Sequence, residues 1–274
     1  MTIRGNDERG FAIVTALWAA ALLAIITLSV LQIVRADARI GRGREEIAEL
    51  NAVADAAVNI AILSLLGPRA TQPSVNAAAF AVPFDGYIAQ VRVQDEAGKI
   101  DLNMANVATL RALLADAGLD TGAAIEIANH ILARRGSDPT VQSHGGNAAG
   151  GSAQRLQSVE ELQSIAGITA DIYRHVVPLV TVYSQTSWID PAFSNLAVLN
   201  VFRTIDPNAE AAWRRKEQER AGLRAADPSP GVALGHAFTI TAEVVGAASS
   251  RVVRRATIRL TGQKQQPLLI YAWD

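Results

Sequence analysis

The chain has 274 residues, room for a membrane segment plus about two small folded units. Half of the residues are apolar although 19% are charged, and the mean hydropathy is positive, an excess that a membrane-buried stretch would explain. A formal net charge of −1 offers no field to steer the chain toward nucleic acid, and the lack of cysteine excludes disulfides, thiolate metal sites and a cysteine nucleophile.

Residues 1–10, MTIRGNDERG, form a short charged leader. From Phe11 to Val34 no side chain is ionisable, and as a helix this run is roughly 36 Å long, enough to cross a hydrocarbon core of about 30 Å. Thr15, Thr27, Ser29 and Gln32 are polar but uncharged. A secretory signal has a shorter apolar region of about 7–15 residues and a small-x-small cleavage site, so residues 11–34 are predicted to be a transmembrane helix. Helical sequence continues over 35–66, where Ile40, Ile47, Leu50, Ala54, Ala57 and Ala61 form an apolar stripe among charged neighbours. Gly67-Pro68 supplies the stop. Gly41 and Gly43 are the weak points, each costing up to about 1 kcal/mol relative to Ala.

Residues 68–83 read as a connector, and Gly86–Asp95 as a strand with Val91 and Val93 on one face. His236–Val245, Arg251–Leu260 and Pro267–Trp273 also read as strands, with Phe238, Ile240 and Ala242 alternating in the first. Between the strand groups the pattern is helical. Leu110, Leu113 and Leu114 make one stripe ending at Gly118. Asp120-Thr121 can cap a second helix, with Ile125, Ile127, Ala128 and Ile131 available for burial. Ser158 and Glu161 have capping-box spacing before a helix that stops at Gly167, and another helix starts near Thr169. The two stretches share a helix–Gly–helix plan and read as an imperfect internal repeat. The expected fold is α+β: the amphipathic half of a long N-terminal helix packs on a small antiparallel sheet carrying an inserted, mainly α-helical domain. The expected division is leader 1–10, membrane helix 11–34, amphipathic helix 35–66, head 67–100 and 231–274, insert 101–195, and connector 196–230.

A charged leader ending in Gly10, then Phe11 opening an apolar helix with an amphipathic continuation, resembles the type IV prepilin-like signal. Gly98-Lys99-Ile100-Asp101-Leu102-Asn103, Val177-Pro178-Leu179-Val180-Thr181-Val182-Tyr183-Ser184 and the SVEELQSIAGIT stretch resemble phrases of the K-type minor pseudopilins of type II secretion. The resemblance implies cleavage of the Gly10–Phe11 bond by a prepilin peptidase and N-methylation of Phe11. It implies a structural, non-catalytic subunit in the bacterial inner membrane, single-pass, with its C-terminal head in the periplasm. The basic residues alone leave orientation open, since Arg4 and Arg9 precede the helix and Arg35, Arg39, Arg42 and Arg44 follow it. Most pilin-like subunits carry Glu at the fifth mature position. Thr15 stands there, and the K type likewise lacks this Glu, which implies a place at or near the filament tip, where the subunit initiates assembly and aids export. Implied partners are the other minor pseudopilins of the tip complex, the peptidase, the inner-membrane assembly platform and the lipid bilayer.

Some relatives bind calcium in the inserted domain, but the glycine-rich stretch 137–152 supplies only Asp138 against the several oxygen ligands calcium takes, so no cofactor is expected. No phosphate loop, nucleophile elbow or metal-ligand motif points to an enzyme, and Ser143-His144 has nothing nearby to orient it. The helix–Gly–helix units also resemble helix-hairpin-helix modules, which makes a membrane-anchored binding module for nucleic acid or protein the alternative. Against a nucleic-acid role, both turns are acidic and Glu217 and Glu219 dilute the basic run Trp213-Arg214-Arg215-Lys216. Trp188 and Trp273 are read as core or interface anchors.

Overall fold

The computed structural model describes residues 7–68, 72–76, 78–136, 155–208, 211, 215, 234–246 and 250–274. The leader residues 1–6, the side-chain surroundings of residues 7–13 (the Gly10–Phe11 bond among them), 30–31, 33–40 and 42, the 137–154 stretch and most of 209–233 lie outside that description.

One helix, α1, runs unbroken over Asp7–Leu66, 60 residues and about 90 Å, through Gly41 and Gly43. Its C-terminal half buries Leu50, Val53, Ala54, Ala57, Val58, Ala61, Ile62 and Leu65. Those positions recur at three- and four-residue steps and so form one face. Ile47, expected in that stripe, is 49% exposed: it shares the face, seven residues before Ala54, but lies one turn ahead of Leu50, where burial begins.

This face lies on a five-stranded, wholly antiparallel sheet, in the order β1 (Phe80–Phe84), β2 (Tyr87–Asp95), β5 (Ala237–Val245), β6 (Arg251–Leu260), β7 (Leu268–Trp273). Ala89, Val91 and Val93 oppose Val244, Ala242 and Ile240, and with Phe238 they form the apolar layer against the helix. Strand β1 falls partly within the expected connector. Pro83 hides it from an alternation rule, yet proline is tolerated there because an edge strand needs no ladder donor on its free side.

Between the neighbouring strands β2 and β5 the chain builds a second core. It comprises the short strand β3 (Ile100–Asp101), α2 (Val107–Asp116), α3 (Thr121–Arg134), a 3₁₀ turn Val159–Ser164, α4 (Ala170–Val176), the short strand β4 (Val180–Thr181) and α5 (Leu196–Ile205). Leu110, Leu113, Leu114, Ile127, Ala128 and Ile131 are buried as expected, whereas Ile125 is 37% exposed and Ala124 takes the inward position. Val198 and Val201 of α5, in the segment read as a connector, are fully buried in this core. The insert therefore extends past residue 195.

The two halves of the repeat turn in the same way. Gly118 and Gly167 have φ of +90° and +92°, a region that disfavours any side chain. The helices after them are capped by Asp120, which accepts from the N–H groups of Gly122 and Ala123, and by Thr169, which accepts from Ile172 N–H. A Cβ on Gly167 would also lie 2.7 Å from Ile127 Cγ1. Gly167→Ala is therefore expected to destabilise the protein by about 2 kcal/mol, from left-handed strain plus repacking of Ile127. Chemical denaturation of the detergent-solubilised chain would measure it, and an unchanged midpoint would contradict it.

Candidate functional site

Two features stand out, and the first is the N-terminal half of α1. The stretch Val14–Ser29 is apolar and exposed throughout, Trp18 at 74%, whereas the apolar stretch Gly43–Leu66 is 44% buried on the sheet. Among the described residues only Gly43–Leu66 is long and apolar enough to cross a membrane, yet the sheet covers it; the shorter Val14–Ser29 stretch is the one that lacks a protein cover. Its hydroxyls suit a bilayer: Thr27 and Ser29 donate to the carbonyls of Leu23 and Ile25 one turn back, at 2.7 and 2.8 Å. Thr15 lies exposed in the same stretch.

The second feature is the joint between insert and head. Gly98-Lys99-Ile100-Asp101-Leu102-Asn103 and the Val177–Ser184 phrase meet here. Ile100 and Asp101 of β3 pair in parallel with Val180 and Thr181 of β4. Asp101 is 2% exposed; it accepts from Asn103 N–H at 2.8 Å, Gln185 N–H at 2.7 Å and the Ser184 hydroxyl at 3.1 Å. Burial pushes its carboxyl above the ordinary aspartate value, and those three bonds oppose the rise. Asn103 bonds both ways with the backbone of Leu156, at 2.9 Å each. Arg135, its charge destabilised by burial and supported by Asp101, donates to the carbonyls of Leu102 and Ala105.

From the sheet side, Arg259 donates to the carbonyls of Tyr183 and Ser184 and sits 5.8 Å from the ring centre of Tyr271, which stacks on Tyr183. On the other flank Asp190 N–H donates to the Ala97 carbonyl, Asn76 donates to the Phe193 carbonyl, and His236 bonds Asp95 at 2.8 Å. Nothing in periodicity marks Arg135, Arg259 or Gly98, since each acts on backbone atoms remote in sequence. Trp188 and Trp273 are 51% and 38% exposed rather than core, and Trp273 donates to Asp55 of α1.

Among the described residues no group of three or more His, Asp or Glu side chains could hold a metal ion. Asp138 and His144 lie outside them, as does the 213–216 basic run apart from Arg215. The hairpins are poor grips for phosphate. The amides following Asp120 are taken by its own carboxylate, and Gly118 and Leu119 donate to Ala115 and Leu114 carbonyls.

A long helix, bare and apolar at one end and laid on an antiparallel sheet at the other, defines a pilin-like subunit. Residues 88–185, from β2 through the joint, match the family model described as type II secretion system, protein K. In a solved structure of the GspK-GspI-GspJ complex from the enterotoxigenic Escherichia coli type 2 secretion system, one chain is similar at 13% identity. The match covers 85% of this chain and 98% of that one, with a TM-score of 0.57, and is a likeness of fold. No curated protein matches. The resemblance to K-type minor pseudopilins thus holds in sequence and fold, and that family is structural rather than known as enzymatic.

Proposed function

We propose that the chain is a minor pseudopilin at or near the tip of a periplasmic pseudopilus, where it starts filament assembly and aids protein export. The observation that carries this reading is one continuous helix, exposed and apolar over Val14–Ser29 and core-forming over Leu50–Leu65, below an insert matched to protein K. The apolar half anchors the chain in the inner membrane and, released from it, packs against neighbouring helices. Thr15 suits a terminal position, because a carboxylate there would need a partner in lipid. The sibling minor pseudopilins are the partners, by analogy with the complex named above; the prepilin peptidase and the assembly platform act on the anchored chain.

The peptidase acts on the Gly10–Phe11 bond, and the new terminus at Phe11 is methylated. Mass spectrometry of protein from peptidase-positive cells is therefore expected to find a chain starting at N-methylated Phe11. Cells lacking the peptidase should retain Met1 or Thr2. An intact leader in peptidase-positive cells would sink the proposal.

A further inference from the structure

The insert and the outer face of the sheet enclose a cleft of about 930 Å³, distinct from the apolar layer beneath α1. Its floor is polar: Gln94, Thr239, Thr241 and Thr257 line it beside Arg255, and the Thr239 and Thr257 hydroxyls bond each other at 3.1 Å. Val159, Val177 and Pro178 of the insert form an apolar wall. The floor spans four adjacent strands, β2, β5, β6 and β7, or about 14 Å at the usual strand spacing. That length holds about four residues of extended chain. β7, which contributes Tyr271 and Ala272 to the lining, is the edge strand of the sheet.

The charge on the lining is unbalanced. Lys99 is tied to Glu96 at 2.9 Å, which leaves Glu160 and Asp274 against Arg255. Tyr183, on the same lining, reports the resulting field. Its phenol is pushed above the ordinary value by burial and then by Glu160, Asp274 and Glu96, with Arg255 pulling the other way. We infer that this cleft binds an extended segment of another polypeptide carrying lysine or arginine, its backbone on the threonine and glutamine floor and its cation toward Glu160 and Asp274. The inference rests on the insert and head alone, and its failure would leave the assembly reading untouched.

The test uses the full chain in detergent micelles and fluorescence anisotropy with a labelled, capped hexapeptide alternating lysine and threonine. The lysine peptide is expected to bind at least about tenfold tighter than its glutamate counterpart, as two favourable charge contacts would give. E160Q/D274N should abolish that preference, and T241W, which fills the floor, should abolish binding with the circular dichroism spectrum unchanged. The inference is overturned if neither peptide binds at millimolar concentration, or if E160Q/D274N keeps the preference. It is also overturned if spermidine displaces the peptide as effectively as unlabelled peptide does, which would make the site one for small polyamines.

Discussion

Gly98→Ala is expected to loosen the insert from the head and to cost about 4 kcal/mol, the largest effect of a methyl group added at any described glycine. Gly98 is buried, and a Cβ built on it would overlap the carbonyl group of Phe193 and come within 2.8 Å of Ser194 N. The obstacle is backbone, so no rotamer change relieves it. The 95–98 turn and the 190–195 return segment would have to separate. One bond spans that gap directly, Asp190 N–H to the Ala97 carbonyl at 2.7 Å, and Asn76 bridges it, accepting from Asp95 N–H at 2.8 Å and donating to the Phe193 carbonyl at 2.7 Å. Losing both adds about 1 kcal/mol each to the overpacking cost.

Thermal unfolding should fall by roughly 10 °C, and limited proteolysis should open first between Trp188 and Asn195. Gly43→Ala is the control. Nothing lies within 4 Å of a Cβ there, so the same added methyl in a helix interior should stabilise by about 0.5–1 kcal/mol. Equal, small effects at the two glycines would show that the joint is not close-packed.

How much of this could be read beforehand depends on how far apart the interacting residues lie. The exposed apolar half of α1 is a property of a continuous run, and the Leu50–Ala61 face is a property of helical periodicity. Both are local, and both were legible. Phe238, Ile240 and Ala242 alternate cleanly because β5 is central and one of its faces meets the helix. β1 was not legible: an edge strand tolerates Pro83 and exposes Ala81, Pro83 and Phe84, which blurs the alternation. Ile125 fits its stripe by residue type yet lies one helical position off the buried face, whereas Ile47 keeps the right face but lies one turn before the buried run begins at Leu50.

The joint behaves differently again. The phrases that carried the family resemblance turned out to be its two sides, brought together by the parallel pairing of Ile100 with Val180 and of Asp101 with Thr181. Their residue types could be seen in the sequence but not their meeting, because it depends on the whole insert folding between them. Arg135 and Arg259 left no signal at all. Each is one arginine among many, and its partners are carbonyl oxygens that every residue has.

Asp101→Asn is expected to cost about 3 kcal/mol at neutral pH, and the size of that loss should change with pH in one direction only. The carboxylate accepts three hydrogen bonds on its two oxygens. An amide can keep the bond from Asn103 N–H, but it then turns its own NH₂ toward Gln185 N–H, donor against donor in a buried site. Burial is the larger influence on the native carboxyl and holds its pKa above the unfolded value of about 3.9. A raised pKa means that the folded protein takes up a proton more readily than the unfolded chain does. The associated stability is fully present below the unfolded pKa and is lost as pH rises through the folded one. The asparagine variant has no such proton, and every other carboxylate is common to both proteins and cancels in the difference. The stability gap between wild type and variant should therefore widen as pH falls from 7 toward 4, measured as paired urea midpoints at each pH. A gap that narrows on acidification would mean that the hydrogen bonds outweigh burial and that Asp101 is held as a stabilised anion.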